Sequence, residues 1–244
     1  MELYHYTTID TLEAIISNRT FRFTSLQDLN DTTEYSYGIT LLKNKIIEYE
    51  RHNNISEKID LSMFDRFMFG RDLYSVSFTE RKDDIIYWNS YYITPNESVA
   101  IGIDSGRIFD KNIFLNKCVY GDPYPNLDKE NYQFFKFLFD NPIYMHKNMK
   151  WIQITFQTAM IKQIGFETER EWRGITFPQN IVSTFERNGR KCRFFDYHIN
   201  VNGISNIIIG PSNKQNKNIN RVKNLISQSR LKIDIEYSNL SLVL

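Results

Sequence analysis

Apolar residues recur along the chain with two different periods, and the switches between them mark out its elements. Residues 3–6 read as a short strand, followed by Ile9, Leu12, Ile15 and Ile16 at helical spacing with Thr7 or Thr8 as the cap. Phe21 and Phe23 alternate as a second strand over residues 20–24. Tyr35, Ile39, Leu42, Ile46 and Tyr49 then predict a long second helix. Asp31 followed three residues later by Glu34 has the spacing of a capping box at its start.

Strand patterns return at residues 74–79, 98–104 and 112–120, with a short helix between the first two that carries Ile85, Tyr87, Trp88 and Tyr91. Asp83 or Asp84 caps it. Gly121, Pro123 and Pro125 break the pattern as a turn or a loop. Helical stripes follow at 131–139 and 149–161, then strands at 175–177, 193–198 and 204–209. Gly210 and Pro211 stop the last of these before a helix through Ile219, Val222, Leu225 and Ile226, and Leu231, Ile233 and Ile235 alternate as a final strand. The mixture predicts an α+β fold in a single domain spanning residues 1–244, with no constant repeat that would indicate a solenoid.

Composition narrows the chemistry. Thirty basic against 29 acidic residues give a formal charge of +1, so no global field points to nucleic acid, although a local basic groove stays open. Cys118 and Cys192 form no CxxC pair, and four scattered histidines predict no structural zinc. The start carries no basic-then-apolar signal region and no run reaches the ~20 apolar residues of a membrane span, which predicts a cytoplasmic protein. Neither GxGxxG nor GxxxxGK[ST] occurs, which argues against an ordinary Rossmann dehydrogenase or P-loop NTPase. Eighteen Phe, 15 Tyr and 3 Trp supply packing area and candidate walls for a planar ligand.

The densest chemistry lies in residues 167–173, where three carboxylates and two guanidinium groups sit between apolar flanks. Read as a strand, the segment places Glu167, Glu169, Glu171 and Arg173 on one face and Trp172 on the other. Such a row of like charges requires cations, solvent or a ligand opposite it. The alternative is a solvent-facing strand in which Arg170, Arg173 and the glutamates form weak surface pairs. Trp88 and Tyr91 are spaced to share a helix face, as core packing or as a ligand wall.

The ordered set Tyr4-His5-Tyr6-Thr7, Asn30-Asp31-x-x-Glu34, Ser77-Phe78-Thr79-Glu80, Trp88-x-x-Tyr91 and Glu169-x-Glu171-Trp172-Arg173 resembles the bacterial DUF2971 family. The resemblance covers nearly the whole chain, including Ile207-Ile208-Ile209-Gly210 and the helix after it. That family looks like a divergent branch of the ADP-ribosyltransferase superfamily, related in outline to DarT-like enzymes.

The resemblance implies a split, bent β core with surrounding helices that binds NAD as cosubstrate, without a metal. It implies that His5 takes the early polar position, with Tyr6 and Thr7 beside the nicotinamide and ribose. Trp88 or Tyr91 would form an aromatic wall and Ser77 would lie on the adjacent strand. Glu171 would be the catalytic carboxylate and Glu169 the second acid, which activates an acceptor or tunes Glu171. Arg173 would bind NAD phosphate or pair with Glu171, while Asn30, Asp31 and Glu34 would position an acceptor or stiffen the pocket.

Breaking the nicotinamide–ribose bond develops positive charge that an ionised carboxylate stabilises more in the transition state than in bound NAD. The activity implied is transfer of ADP-ribose to a protein or nucleic-acid acceptor, within bacterial anti-phage defence or a toxin system and with a defence-system partner. NAD hydrolysis and a catalytically inactive nucleotide- or protein-binding module are the alternatives.

Overall fold

The computed structural model describes residues 1–29, 32–56, 58–62, 72–90, 97–123, 147–179, 181–212 and 214–240. Its first half follows the hydrophobic periods closely: β1 (Glu2–Thr8), α1 (Ile9–Asn18), β2 (Thr20–Ser25), α2 (Thr32–His52), β3 (Tyr74–Thr79), α3 (Ile85–Ser90) and β4 (Ser98–Asp104). Thr8 rather than Thr7 caps α1, accepting the Thr11 N–H at 3.2 Å, and Arg19 ends the helix in the left-handed region at φ 55°. β5 (Phe114–Lys117), β6 (Val119–Tyr120), α4 (Lys147–Met160) and β7 (Ile161–Lys162) follow. The chain then forms a 3-10 turn (Ile164–Glu169), β8 (Glu171–Thr176), β9 (Ser183–Arg187), β10 (Arg190–His198), β11 (Ile204–Ile209), α5 (Gln215–Ser229) and β12 (Asp234–Tyr237).

Among the described residues ten strands form one mixed, largely antiparallel sheet with helices on both faces, an α+β fold. One face packs Leu3, Phe21, Phe23, Val76, Phe78, Ile101 and Ile207 against the apolar stripes of α1 and α5. The other carries two smaller cores, one joining α2 and α4 to Ile175 and Leu73, the other joining Trp88 of α3 to Tyr4, Tyr6, Ala100 and Ile208. β4 runs through the middle and is buried on both faces, which is why its sequence is continuously apolar and small rather than alternating.

The sheet divides at β3. One edge of β3 pairs along its whole length with β8, from Tyr74↔Thr176 to Thr79↔Glu171. The opposite edge is shared: β1 meets it at Tyr4↔Thr79, and β2 meets it at Thr24↔Ser75 and Ser25↔Tyr74. From there one wing continues through β4, β11 and β12 and the other through β10 and β9. Between the two attachment points the His5 ring takes the place of a ladder bond, its Nδ1–H donating to the Ser77 carbonyl at 2.9 Å.

Several sequence expectations need correction. Residues 167–170 are not strand: the 3-10 turn runs to Glu169, Arg170 reverses the chain in the left-handed region at φ 45°, and β8 starts only at Glu171. Glu167 therefore does not share a strand face with Glu169, Glu171 and Arg173. The expected strand at 112–120 is divided into β5 and β6, and the last strand lies at Asp234–Tyr237, with Leu231 and Ile233 before it. β9 was not expected, although Asn188 and Gly189, at φ 51° and 73°, form the hairpin turn that Asn-Gly favours. Asn30, Asp31, Tyr91 and the helix expected at 131–139 lie outside the described residues, as does the Glu34 side chain.

Candidate active site

Strand register decides which of the predicted residues meet. Because Ser77↔Arg173 and Thr79↔Glu171 are cross-strand partners, the Ser77, Thr79, Glu171 and Arg173 side chains stand on the same face of β3 and β8. α4, β7 and the 3-10 turn cover that face and bring in Lys162, Ala159 and Glu169.

Glu171 lies at the centre, 4% exposed. Its Oε1 accepts from Ser77 Oγ at 2.6 Å and Arg173 Nε at 2.7 Å, and its Oε2 accepts from Lys162 Nζ at 2.5 Å and Arg173 Nη2 at 3.2 Å. Both oxygens are thus engaged by charged or hydroxyl donors. The Glu171 backbone N–H donates to the Tyr120 hydroxyl at 2.7 Å. Arg173 and Lys162 are each 2% exposed, and Arg173 Nη1 also donates to the Ala159 carbonyl at 2.9 Å. Lys162 Nζ bridges to Glu169 Oε2 at 2.5 Å, so two cations and two carboxylates balance within one network.

The energetics follow from this burial. Removal from water pushes the Glu171 pKa up, but the Arg173 guanidinium and then the Lys162 ammonium outweigh it and bring it from 4.5 down to about 2. Buried pairs of this kind contribute little net stability over an apolar replacement, yet removing one partner leaves a buried charge uncompensated. Neither the exposed charged strand nor weak surface pairing describes the arrangement.

Glu169 is the carboxylate that reaches the surface, with 31% of its side chain exposed. Its backbone is fixed independently: the Glu169 carbonyl accepts from Thr79 Oγ1 at 2.8 Å and from the Tyr87 hydroxyl at 2.5 Å. Tyr87 stacks on Tyr6 with ring centroids 4.7 Å apart, and the Tyr6 hydroxyl donates to the Arg81 carbonyl and accepts the Asp84 N–H. Arg81 is salt-bridged to Asp84, and its Nε is a buried donor with no hydrogen-bond partner among the described residues. Segments from β1, the β3–α3 loop and α3 are therefore tied to the Glu169 backbone carbonyl, while Lys162 holds its carboxylate.

The remaining predicted residues occupy other places. His5 lies on the opposite face of the sheet, its ring 5.3 Å from that of Phe21 and 5.7 Å from that of Phe78, and it connects with Glu171 through Ser77. Burial holds its pKa below 6.5, so its neutral ring donates from Nδ1. Trp88 is 1% exposed, edge-on to Tyr6 at 4.6 Å, with its indole N–H on Asp83 at 2.7 Å. That places it in the core under α3. Thr7 faces Val99 across the β1–β4 ladder, on the same side of β1 as His5.

Lys162, Tyr87, Arg81 and Tyr120 complete the site without having been singled out from the sequence. Lys162 precedes the acids by seven and nine residues across a 3-10 turn, a spacing with no helical or strand period. Among the described residues no group of three His, Cys, Asp or Glu side chains is placed to hold a metal ion, and no helix is long and apolar enough to cross a membrane. Compared with family models, curated proteins and solved structures, the chain matched none.

Proposed function

We propose that this protein transfers ADP-ribose from NAD to a macromolecular acceptor, with the Glu169 carboxylate as the group that meets substrate. One observation carries the reading. Segments far apart in sequence, around Tyr6, Thr79, Tyr87 and Glu169–Arg173, are joined at the Glu169 backbone, whose part-exposed carboxylate shares Lys162 with a buried, ionised one. The split of the sheet at β3 supports it as well.

In this reading Glu169 faces the ribose and stabilises the positive charge that develops there as the nicotinamide C–N bond breaks. An acceptor oxygen or nitrogen forms the new bond to the ribose carbon, nicotinamide leaves with the electron pair of the old bond, and the acceptor proton passes to Glu169 or solvent. Glu171 holds Lys162 and Arg173, and Lys162 in turn orients Glu169. Arg81, with its orphaned buried Nε, fits a phosphate oxygen of the dinucleotide. Arg173 spends its guanidinium on Glu171 and Ala159, so the phosphate role passes to Arg81. His5 pins β3 through the Ser77 carbonyl.

A second reading, a nucleotide- or protein-binding module without catalysis, draws on the saturation of both Glu171 oxygens. Mass-resolved analysis of NAD reactions with separate protein, DNA and RNA pools separates the cases. Transfer yields an acceptor carrying ADP-ribose, hydrolysis yields free ADP-ribose, and the module yields neither. Glu169→Gln is expected to lower transfer by about 100-fold or more while the protein stays folded. Unchanged product formation by that variant rejects Glu169 as the acting carboxylate.

A further inference from the structure

Helix α5 and its flanks carry charge of one sign only. From Pro211 to Ile233 the chain has six basic residues and no Asp or Glu, which leaves 24 basic against 29 acidic residues elsewhere. The net charge of +1 therefore conceals a positive helix on an otherwise negative chain. Arg221 is neutralised in place, bonded to Glu13 at 2.7 Å and to Asp10 at 2.6 Å, both on α1. Lys217, Lys223 and Arg230 differ: among the described residues their side chains make no ion pair or hydrogen bond.

Helical spacing orders these groups around the axis. Asn218, Ile219, Val222 and Ile226 are buried, and the three apolar ones join the main core. Lys217, Asn220, Lys223, Asn224, Gln228 and Arg230 are exposed. At about 100° per residue, Lys217 and Lys223 lie about 120° apart, with Asn220 and Asn224 between them. A strip of carboxamides thus has a cation on either side, on a helix of 15 residues, about 22 Å long. Helix stability does not explain the pattern. Lys217 sits in the first turn, where the helix dipole disfavours a cation, and no carboxylate stands three or four residues from either lysine to pair with it.

We propose that the outer face of α5 is a docking surface for duplex DNA and lies in its major groove. A helix about 10–12 Å across matches a groove about 12 Å wide, and cations on its two flanks meet the phosphates on the two sides of that groove. The central asparagines face the groove floor, where a carboxamide pairs with adenine N6 and N7. A membrane surface fits less well, because α5 exposes no large apolar side chain among its described residues and its apolar stripe is spent on the core. An acidic peptide would satisfy the lysines and leave the central carboxamides unused. The major groove of duplex RNA is too narrow to admit a helix. The proposal rests on α5 alone and stands whether or not NAD is the substrate of the Glu169 cluster.

The test is fluorescence anisotropy of the full chain with labelled DNA duplexes of about 20 base pairs, roughly two helical turns. Binding is expected at about 50 mM salt and should weaken roughly fortyfold by about 200 mM, as three phosphate contacts require. Lys217→Ala with Lys223→Ala is expected to weaken it by roughly tenfold or more at the lower salt and to reduce the loss across that range to about fourfold. Asn220→Ala with Asn224→Ala should keep the salt dependence and remove a preference of roughly tenfold for mixed sequence over a duplex of G·C pairs alone. All four positions are exposed, and circular dichroism melts establish that each variant is folded.

Absence of binding at the lower salt overturns the proposal. So does equal weakening by Arg190→Ala with Lys191→Ala on β10, which would place the site elsewhere. Equal affinity for duplex RNA, or displacement of the DNA by an equal charge of polyglutamate, would reduce the surface to unspecific charge and overturn it too. Binding to phosphatidylserine vesicles without binding to DNA would make it a membrane contact, with the same consequence.

Discussion

At the scale of single residues, Glu171 and Lys162 hold the most consequential charges. With its pKa depressed from 4.5 to about 2, Glu171 contributes stability that is complete above about pH 4.5 and is lost as pH falls toward 2. The shift corresponds to about 3 kcal/mol between those limits. His5 acts in the same direction in a higher window: its folded pKa lies below 6.5, so stability is full above that value and declines as acidification forces a proton onto the buried ring. Urea denaturation across pH 2–7 should therefore show two acid limbs, and His5→Gln should remove the upper one. Glu171→Gln leaves Lys162 and Arg173 without their shared counter-ion and is expected to destabilise the fold by about 3–5 kcal/mol, as read by the urea midpoint at pH 7. Lys162→Met strips Glu169 and Glu171 of the cation they share. It should abolish the pairing, and on the proposed reading, in which Lys162 orients the surface carboxylate, it should change the turnover of NAD more than the affinity for it.

At the scale of elements, close approach and reversal decide the site's architecture. Gly38 in α2 lies where an added Cβ would stand 2.5 Å from the Thr158 carbonyl oxygen of α4. Gly38→Ala is expected to force the helices apart at a cost of about 1–3 kcal/mol, measurable as a lower melting temperature. Since α4 runs into β7 and so positions Lys162, the same variant should loosen the charge cluster. Arg170 holds the left-handed conformation that turns the 3-10 segment into β8. Arg170→Gly relieves that strain and is expected to be neutral or stabilising by up to about 1 kcal/mol, while Arg170→Val should destabilise. Element types were legible where the period was long or the burial one-sided, as in α1, α2 and α5. Glu171 and Arg173 share a strand face as expected, but residues 167–170 do not continue the strand, because alternation of charge imitates one and nothing local reveals that Arg170 reverses the chain.

Across the whole molecule, β3 is the junction on which both wings depend. β4 and β11 are buried between their neighbours, whereas β9 pairs, among the described residues, only with β10 and carries exposed polar residues along its length. Hydrogen exchange should accordingly be slowest in β1, β3, β4 and β11 and fastest in the β9–β10 hairpin, by several orders of magnitude in protection. Uniform protection across both wings would show that the sheet opens as one unit.

The amino-acid sequence by itself determined the α+β class, most helices and strands, the apolar residues of the core and the segments from which the site is built. These follow from local periodicity, capping and turn chemistry, which act over a few residues. Only the tertiary structure decided which acid is exposed, that Lys162 joins Glu169 to Glu171, that His5 and Glu171 stand on opposite faces, and that the sheet divides at β3. Those properties depend on register between strands remote in sequence. A shift of one residue would exchange Ser77 and Thr79 for Val76 and Phe78 on the face that meets Glu171.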